Sequence, residues 1–390
     1  MFFGRSSEIS SLRALFSSKN AVISVVYGRR RIGKTSLVRE AARGWVFYVF
    51  EGLEGESTSA QKRAFLEQLA CYGLEIPSEI DARSSWQSIL ALLTKLVDLN
   101  ESTVILLDEF QWLANYRTEL VSQLKLVWDK LLSKHRTVKL VLCGSIASFL
   151  LKKVVHSKAL YGRTDLVINL QGFSLSEAKQ MLQGRGVDEV MLAYSLVGGV
   201  PKYLELLNER DSVINSFQFH TYREHSYFSL EYDKIFVSHF GKNPKYQLLV
   251  EALNGKRWGL SRQELAKSLK TSPSGELTRL LDDLEHSGFI HSFVPFDRSP
   301  GSKFSRYRLS DLFLNYYFAF LRQSIQAREL NRLSFLEHIY STPKFKSHMG
   351  YAFELICQLH QEQIATILGF NRIRYRVGPY YKHAQGGALK

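Results

Sequence analysis

The stretch that decides the fold of this 390-residue chain is Val25-Val-Tyr-Gly-Arg-Arg-Arg-Ile-Gly-Lys-Thr-Ser36. The apolar, β-branched run 21–27 leads into it and predicts a buried strand, and residues 35–43 continue from it and predict a helix. Its glycines, lysine and threonine have the spacing Gly-x-x-x-x-Gly-Lys-Thr, which is typical of a loop that binds phosphate groups. A glycine turn that happens to carry a lysine is the alternative. The order strand, loop, helix favours the phosphate loop.

Such a loop predicts a nucleoside triphosphate as the ligand. Its glycines let backbone N–H groups point at the β-phosphate, and the start of the helix adds a partial positive charge. We expect Lys34 to reach the β- and γ-phosphates and the Thr35 hydroxyl to bind Mg²⁺. The residues predicted to contact the nucleotide are consecutive: Gly28, Arg29, Arg30, Arg31, Ile32, Gly33, Lys34, Thr35 and Ser36.

A second apolar run, Thr103-Val-Ile-Leu-Leu-Asp-Glu109, ends in two acids. A strand usually ends in turn residues, so a carboxylate pair at its carboxyl end predicts a chemical role. We expect Asp108 to hold the Mg²⁺ shell and Glu109 to orient and deprotonate an attacking water. The alternative is a solvated pair that caps the strand.

Two more candidates flank later apolar runs. Ser145 follows the run 138–144 and could reach the γ-phosphate or the water beside it, although a plain turn would look the same. Arg163 precedes the run 166–170. It could sense or stabilise the transferring phosphate, in its own chain or from a neighbour, or it could be an ordinary surface residue.

The spacing of these runs predicts the fold class. Strands alternate with helical stretches at 59–71, 84–98 and 118–135, which indicates an α/β domain, 1–170, with a parallel sheet covered by helices on both faces. Helical patterns alone follow, which predicts a helical lid over 171–240. Three helices and a hairpin then predict a winged helix-turn-helix over 241–309, and 310–390 would form a C-terminal domain.

Composition fits an ordinary folded protein, with 45% hydrophobic and 23% charged residues. No apolar run approaches the roughly 18 residues that span a bilayer, and the first residues have no signal-peptide pattern. We therefore expect a cytoplasmic protein with no membrane partner. Three widely separated cysteines indicate neither a disulfide framework nor a zinc site.

The net charge of +14 is concentrated near the end, where residues 301–390 hold 13 Lys and Arg against 5 Asp and Glu. Such an excess suits DNA binding through the winged helix or this basic region, but a chain cut before an acidic stretch would also show it. The third helix of the module weighs against base reading, because Arg279 is its one cation among four acids, and phosphate repels acids. Its leucines have core spacing: Leu277, Leu280, Leu281 and Leu284. We expect packing or protein docking there, with DNA contact through the wing residues Arg298, Lys303 and Arg306 as the alternative.

Taken in order, six motifs carry a resemblance to a known family. They are Phe3-Gly-Arg-x-x-Glu8-x-x-x-Leu12, the phosphate loop, Leu-Asp-Glu-Phe-Gln-Trp112, Leu-Cys-Gly-Ser145, Tyr-Gly-Arg-Thr164 and Gly-Gly-Val-Pro201. The series resembles the archaeal-type P-loop ATPases, which belong to the signal-transduction ATPases with numerous domains and are related to AAA+ proteins.

The resemblance implies roles that the residues alone do not give. Phe3, Gly4 and Arg5 would help to cover the nucleotide base, and Pro201 in the lid would approach the adenine of ATP. Ser145 would be the sensor at the end of an inserted central strand. The nucleotide state would set the position of the lid and winged helix, so that ATP acts as a switch and signals to a protein partner that the sequence does not name. Neither does the sequence give the oligomeric state.

Two motifs lie in the tail, Tyr307-Arg-Leu-Ser-Asp-Leu-Phe-Leu-Asn-Tyr-Tyr-Phe318 and Gly350-Tyr-Ala-Phe-Glu354. They resemble the start of the family's companion domain, which is similar to restriction endonucleases. Glu354 would be its first acid, unless it is a plain helix residue. The metal site of those folds needs further acids on later strands, whereas residues 363–390 contain none. We therefore expect a partial α/β domain without nuclease activity, either because the polypeptide is a fragment or because the domain serves only for binding. Three functions result: a slowly hydrolysing ATP switch, an ATP-dependent DNA-binding regulator, and a nuclease effector whose catalytic half is missing.

Overall fold

The computed structural model describes residues 2–97, 101–223, 225–241, 243–296, 305–326, 339–370, 372–375 and 377–378. The chain divides into two compact units, Met1–Gln171 and Gly172–Lys390.

The first unit contains a parallel sheet of five strands. They are β1 (Val22–Tyr27), β2 (Val46–Glu51), β3 (Thr103–Asp108), β4 (Val138–Gly144) and β5 (Thr164–Asn169), in the order β2-β3-β4-β1-β5. Every pairing is parallel, so the carboxyl ends of all strands meet at one edge. The loop after β1, the acids at the end of β3 and Ser145 after β4 therefore lie along the same edge.

Helices connect these strands. They are α1 (Ser6–Phe16), α2 (Lys34–Ala41), α3 (Thr58–Cys71), α4 (Trp86–Ala91), α5 (Phe110–Leu113), α6 (Glu119–Lys130) and α7 (Ala147–Phe149). A 3₁₀ turn, Leu92–Leu96, extends α4, and a π-helix, Leu150–Val155, extends α7.

The core of this unit lies on both faces of the sheet. Ile23 and Val25 of β1 pack into one cluster, and Val26 packs into the other with Leu37 and Val38 of α2. All residues of β1, β3 and β4 are buried. Burial on both faces explains why these strands are apolar along their whole length. The predicted α/β class, with a covered parallel sheet, is confirmed.

One strand has no counterpart in the sequence prediction. β2 lies at the edge of the sheet, where Phe50 is its only fully buried residue. Its Val-Phe-Tyr-Val-Phe-Glu run lacks a second neighbouring strand and is more exposed, so its pattern is weaker than that of the central strands.

The second unit begins with five helices. They are α8 (Leu175–Met181), α9 (Val187–Val197), α10 (Pro201–Leu207), α11 (Val213–Thr221) and α12 (Glu231–Phe240). The next elements are α13 (Lys245–Leu253), β6 (Leu260–Ser261), α14 (Arg262–Ser268), α15 (Gly275–His286), β7 (Ile290–Phe293) and β8 (Arg306–Leu309). The three strands form an antiparallel sheet in the order β6-β8-β7.

Helix α15 uses its acids inside the unit. The four leucines predicted as core are buried. Glu276 forms an ion pair with Lys245 at 2.8 Å, and Asp283 accepts a hydrogen bond from the Tyr246 hydroxyl at 2.7 Å. Glu285 accepts one from the backbone N–H of Ser292.

Of the three predicted wing cations, the structure describes one, Arg306. Arg298 and Lys303 lie outside the described residues. Arg306 on β8 donates to the carbonyls of Trp258 and Gly259 and pairs with Glu264. Contacts within the unit therefore engage this cation.

The described part of 310–390 is helical. Its elements are α16 (Leu312–Tyr316), a π-helix (Tyr317–Leu321), α17 (Arg322–Gln326), α18 (Pro343–Leu359) and α19 (Gln361–Ile367). No strand is present among the described residues of 310–390, and the α/β character of this part stays a prediction, since residues 371, 376 and 379–390 lie outside the described residues. The aromatic run 312–321 forms a buried helix, in which Tyr316 packs against Phe217.

Glu354, the predicted first acid, lies on α18. It pairs with Arg308 at 3.2 Å. Among the described residues, no group of three or more His, Cys, Asp or Glu is placed to hold a metal ion. None of the described helices combines the length and apolar composition needed to cross a membrane.

Candidate functional site

The loop between β1 and α2 has a backbone that requires its glycines. A Cβ on Gly28 would lie 2.2 Å from the carbonyl oxygen of Leu170, so a larger residue would displace the end of the sheet. Gly33 has φ +86° at the N-cap of α2, a conformation that favours glycine. The two glycines thus fix the path of the loop around the start of the helix.

Lys34 is buried inside this loop. Its Nζ donates hydrogen bonds to the carbonyl oxygens of Gly28 at 3.0 Å and Arg29 at 3.1 Å. The loop carbonyls therefore hold the ammonium group at the position from which it can turn toward phosphate oxygens.

Two oxygen-bearing side chains meet next to the loop. The hydroxyl of Thr35 donates a hydrogen bond to Oδ2 of Asp108, and the backbone N–H of Glu109 donates to Oδ1 of Asp108 at 2.9 Å. Burial raises the pKa of Asp108 above its usual range; the Thr35 hydrogen bond and the Lys34 charge oppose this rise, and the Glu109 charge adds to it.

This pair fits Mg²⁺. A hydroxyl and a carboxylate are hard oxygen ligands of the kind that Mg²⁺ prefers, and Mg²⁺ keeps most of its water when only one or two protein groups bind it. Thr35 and Asp108 would hold the ion, which would neutralise charge on bound phosphates.

Glu109 follows directly and belongs to a buried polar network. Ser145 Oγ donates to its Oε2 at 3.1 Å, and Gln111 Nε2 donates to the same oxygen and, at 3.1 Å, to Ser145. Its Oε1 lies 3.6 Å from Nε of Arg30. The backbone of Glu109 has φ 46°, a strained conformation for a residue with a side chain. Such strain is typical of positions where side-chain direction matters.

Gln111 is a site residue that the sequence analysis missed. It is fully buried, and Gly144 makes room for it, because a Cβ on Gly144 would lie 2.2 Å from Gln111 Oε1. The signal was an amide in the apolar segment Phe-Gln-Trp-Leu, since a buried amide must find hydrogen-bond partners.

The remaining loop residues differ in burial and in the contacts of their side chains. Arg30 forms an ion pair with Glu54 at 2.9 Å besides its contact with Glu109. Arg29 and Ile32 are buried, Arg31 has φ +69°, and Ser36 lies in the first turn of α2.

Phe3, Gly4 and Arg5 lie just before α1. Arg5 is buried, and its Nη2 donates to the carbonyl oxygens of Gln171 at 2.5 Å and Ile32 at 3.3 Å. Arg5 therefore ties the phosphate loop to the last residue of the first unit. Whether the segment also covers a nucleotide base stays a prediction.

Arg163 does not lie at this site. It precedes β5, whose Thr164 pairs with Ile23 near the start of β1, so it is at the amino edge of the sheet, opposite the loop. Its guanidinium pairs with both oxygens of Asp129, at 2.7 and 3.0 Å. A role toward the phosphate of its own chain is therefore excluded, and the predicted role toward a neighbouring chain stays a prediction. Pro201 lies in the second unit, at the first position of α10; its approach to adenine is likewise a prediction.

Sequence and fold comparisons identify the class of protein. Residues 2–207 match ATPase_2, the family described as an ATPase domain predominantly from Archaea. This match covers more than half of the chain, which therefore belongs to this family of P-loop ATPases.

The chain is also similar to individual proteins and solved structures. The uncharacterized protein MJECL04 of Methanocaldococcus jannaschii is 26% identical over 369 residues, covering 92% of this chain and 76% of that protein. The fold is similar to that of the Walker-type ATPase PABY2304 of Pyrococcus abyssi, with a TM-score of 0.54, 17% identity and coverage of 81% and 96% of the two chains. It is also similar to the ORC2 protein of Aeropyrum pernix in its ADPNP–ADP complexes, with a TM-score of 0.51, 15% identity and coverage of 83% and 94%.

Proposed function

We propose that this protein binds ATP with Mg²⁺ and hydrolyses it slowly, as a switch whose nucleotide state controls the lid and the winged helix. The observation that carries the proposal is the network around Glu109, in which Ser145 and Gln111 hold one carboxylate oxygen beside the phosphate loop. ATP and ADP are the ligands, and a protein is the partner that reads the switch.

In this proposal each residue has one task. The loop and Lys34 bind the phosphates, and Thr35 with Asp108 holds Mg²⁺. A water oxygen adds to the γ-phosphorus while the bond to the β,γ-bridging oxygen breaks, and Glu109 accepts the proton of that water. Ser145 and Gln111 orient Glu109.

The test is Glu109→Gln under single-turnover conditions. An amide can hold the water but cannot accept its proton, so ATP and Mg²⁺ affinity should stay near wild type while hydrolysis falls by about 10² or more. Glu67→Gln, the same change at an exposed position of α3, is the matched control and should hydrolyse normally. If Glu109→Gln is as fast as wild type, the protein is a nucleotide-binding module only.

The charge of α15 supports a protein partner over DNA, because Arg279 is its one Lys or Arg, and Glu276, Asp283 and Glu285 are engaged within the unit. The helix therefore offers little positive charge to phosphate. A DNA-binding regulator is the alternative, and the ratio of absorbance at 260 and 280 nm distinguishes the two. Freshly purified protein that carries nucleic acid would favour the regulator. An absorbance ratio that the protein's own aromatic residues account for would mean that no nucleic acid is bound, which favours the switch.

A further inference from the structure

A cavity of about 230 Å³ lies in the second unit, away from the residues assigned to ATP. The chain after α13, residues 253–257, lines one side, and Asn315, Ala319 and Phe320 line another. The N-terminal half of α18 completes it with Lys344, Ser347, His348 and Tyr351. A water occupies about 30 Å³ of liquid, so this cavity has room for a ligand much larger than one water.

The lining is basic. Lys256, Arg257 and Lys344 contribute three cations, and none of the described lining residues is acidic. Arg257 donates to Ser347 Oγ at 3.3 Å and lies over the ring of Tyr351, while Lys344 donates to the carbonyl oxygen of Ala319 at 2.6 Å. These contacts hold two cationic groups in place without neutralising them.

A buried histidine also lines this cavity. His348 is 7% exposed, and its Nε2 is buried without a hydrogen-bond partner among the described residues. Its ring packs edge-on against Phe320 and Tyr316. Burial, with the charges of Arg257 and Lys344, lowers the pKa of His348 to about 4, so the imidazole is neutral at pH 7. An unpartnered buried nitrogen is costly, and a ligand acceptor would satisfy it.

We propose that this cavity binds the phosphoryl group of a small phosphorylated molecule, or free phosphate, which share one chemistry. Arg257, Lys344 and Lys256 supply the positive charge, and the Ser347 hydroxyl and His348 Nε2–H donate hydrogen bonds. A cavity of about 230 Å³ fits a small ligand better than duplex DNA, which needs an extended surface.

Thermal unfolding and calorimetric titration of the full chain test the site. Both are done in Lys34→Ala, so that the phosphate loop does not bind the probes. Millimolar inorganic phosphate should raise the melting temperature relative to chloride at equal ionic strength. Arg257→Gln and Lys344→Gln should weaken phosphate binding at least tenfold. The matched control is Lys346→Gln, an exposed lysine of the same helix outside the lining, which should bind as the parent does.

His348→Leu separates binding from folding. Loss of an unpartnered buried nitrogen should leave the ligand-free protein at least as stable, while the stabilisation by phosphate is lost. If phosphate raises the melting temperature equally in all variants, the rise is a general salt effect, and the proposal is overturned.

Two further experiments distinguish an organic phosphate ligand from free phosphate and test whether His348 becomes charged when an anion binds. Glycerol phosphate that binds at least tenfold tighter than inorganic phosphate would indicate an organic phosphate ligand; equal binding would indicate free phosphate. Binding of a duplex oligonucleotide with no binding of either small probe would overturn the proposal.

Sulfate, which does not titrate in this range, should bind more tightly as pH falls from 7 to 5. The reason is that a bound anion favours the imidazolium form of His348. The other charged and titratable groups that face this site are Lys256, Arg257, Lys344, Tyr316 and Tyr351, and burial raises the pKa of both tyrosines. Glu264, which acts on Lys256 from outside the lining, has a lowered pKa and stays ionised. Sulfate affinity that is flat in pH would remove His348 from the site.

Discussion

At the scale of single residues, the sequence predicts site residues best where they lie close together along the chain. Gly28 to Ser36 are consecutive, and Asp108 and Glu109 are neighbours at one strand end, so pattern and strand order were enough to bring them to one edge. Gln111 is different. Its role depends on burial against β4 and on the space at Gly144, which only the folded sheet supplies.

Gln111→Leu tests that role. Leucine is of similar size and can fill the buried space, but it cannot hold Glu109 and Ser145 together. We expect nucleotide affinity near wild type and single-turnover hydrolysis about tenfold slower. The effect should be non-additive with Ser145→Ala, because both residues act on the same oxygen of Glu109. Additive losses in this double-mutant cycle would show that the two side chains act separately.

Asp108→Asn tests the cost of a buried charge. The folded-state pKa of Asp108 is raised, so its carboxylate destabilises the nucleotide-free protein above that pKa, and this penalty disappears as pH falls toward the unfolded value near 4. At pH 7 the variant should melt a few degrees higher, about 2–4 °C per kcal/mol. The gain should shrink on acidification.

Calorimetry of the nucleotide-free protein between pH 5 and 8 measures this difference. The same variant should lose Mg²⁺-dependent ATP binding. A lower melting temperature at pH 7 would contradict the prediction, since it would mean that the charge stabilises the fold.

At the scale of elements, position in the sheet explains two differences between the sequence prediction and the structure: the strand β2, which was not predicted, and the location of Arg163. β2 is half-buried at an edge, so its pattern did not indicate a strand. Arg163 lies beside a strand of the same sheet, which is why the sequence allows a role at the phosphate as well as an ordinary surface position. However, a residue that precedes a parallel strand lies at the amino edge, whereas the phosphate loop follows its strand at the carboxyl edge.

Arg5 links elements that are far apart in sequence, and Arg5→Met tests this link. Methionine keeps much of the apolar stem but removes both hydrogen bonds to the carbonyls of Ile32 and Gln171. These carbonyls would lose a charged donor, so we expect a loss of stability of about 1–3 kcal/mol and weaker ATP binding. Denaturant unfolding and an ATP titration measure both effects. Unchanged ATP affinity in a less stable variant would limit Arg5 to a structural role.

At the scale of the whole molecule, the sequence predicts four domains, whereas the structure divides into two compact units. The chain forms two units, and the lid, winged helix and C-terminal domain remain predicted subdivisions of the second. Their helices follow local patterns and capping signals, such as Ser174 before α8 and Ser261 before α14. The tail is harder to predict, because its α/β character comes only from the resemblance and not from a pattern of alternating strands and helices.

Limited proteolysis tests the switch at this scale. If Pro201 approaches bound adenine, ATP should protect residues 198–207 from cleavage several-fold relative to the nucleotide-free protein. Lys34→Ala, which should not bind ATP, is the control and should be cleaved equally in both conditions. Equal cleavage of the wild-type protein with and without ATP would contradict a nucleotide-driven lid.

The contacts of Gly28 and Arg5 have a consequence for how such chains diversify. The phosphate loop touches Leu170, and Arg5 binds both that loop and Gln171, so the nucleotide site is anchored at the residue where the first unit ends. A recombination event that joins a different second unit after Gln171 would preserve every one of these contacts. The new unit would therefore start at a point already tied to the phosphate loop, without the need to evolve its own connection.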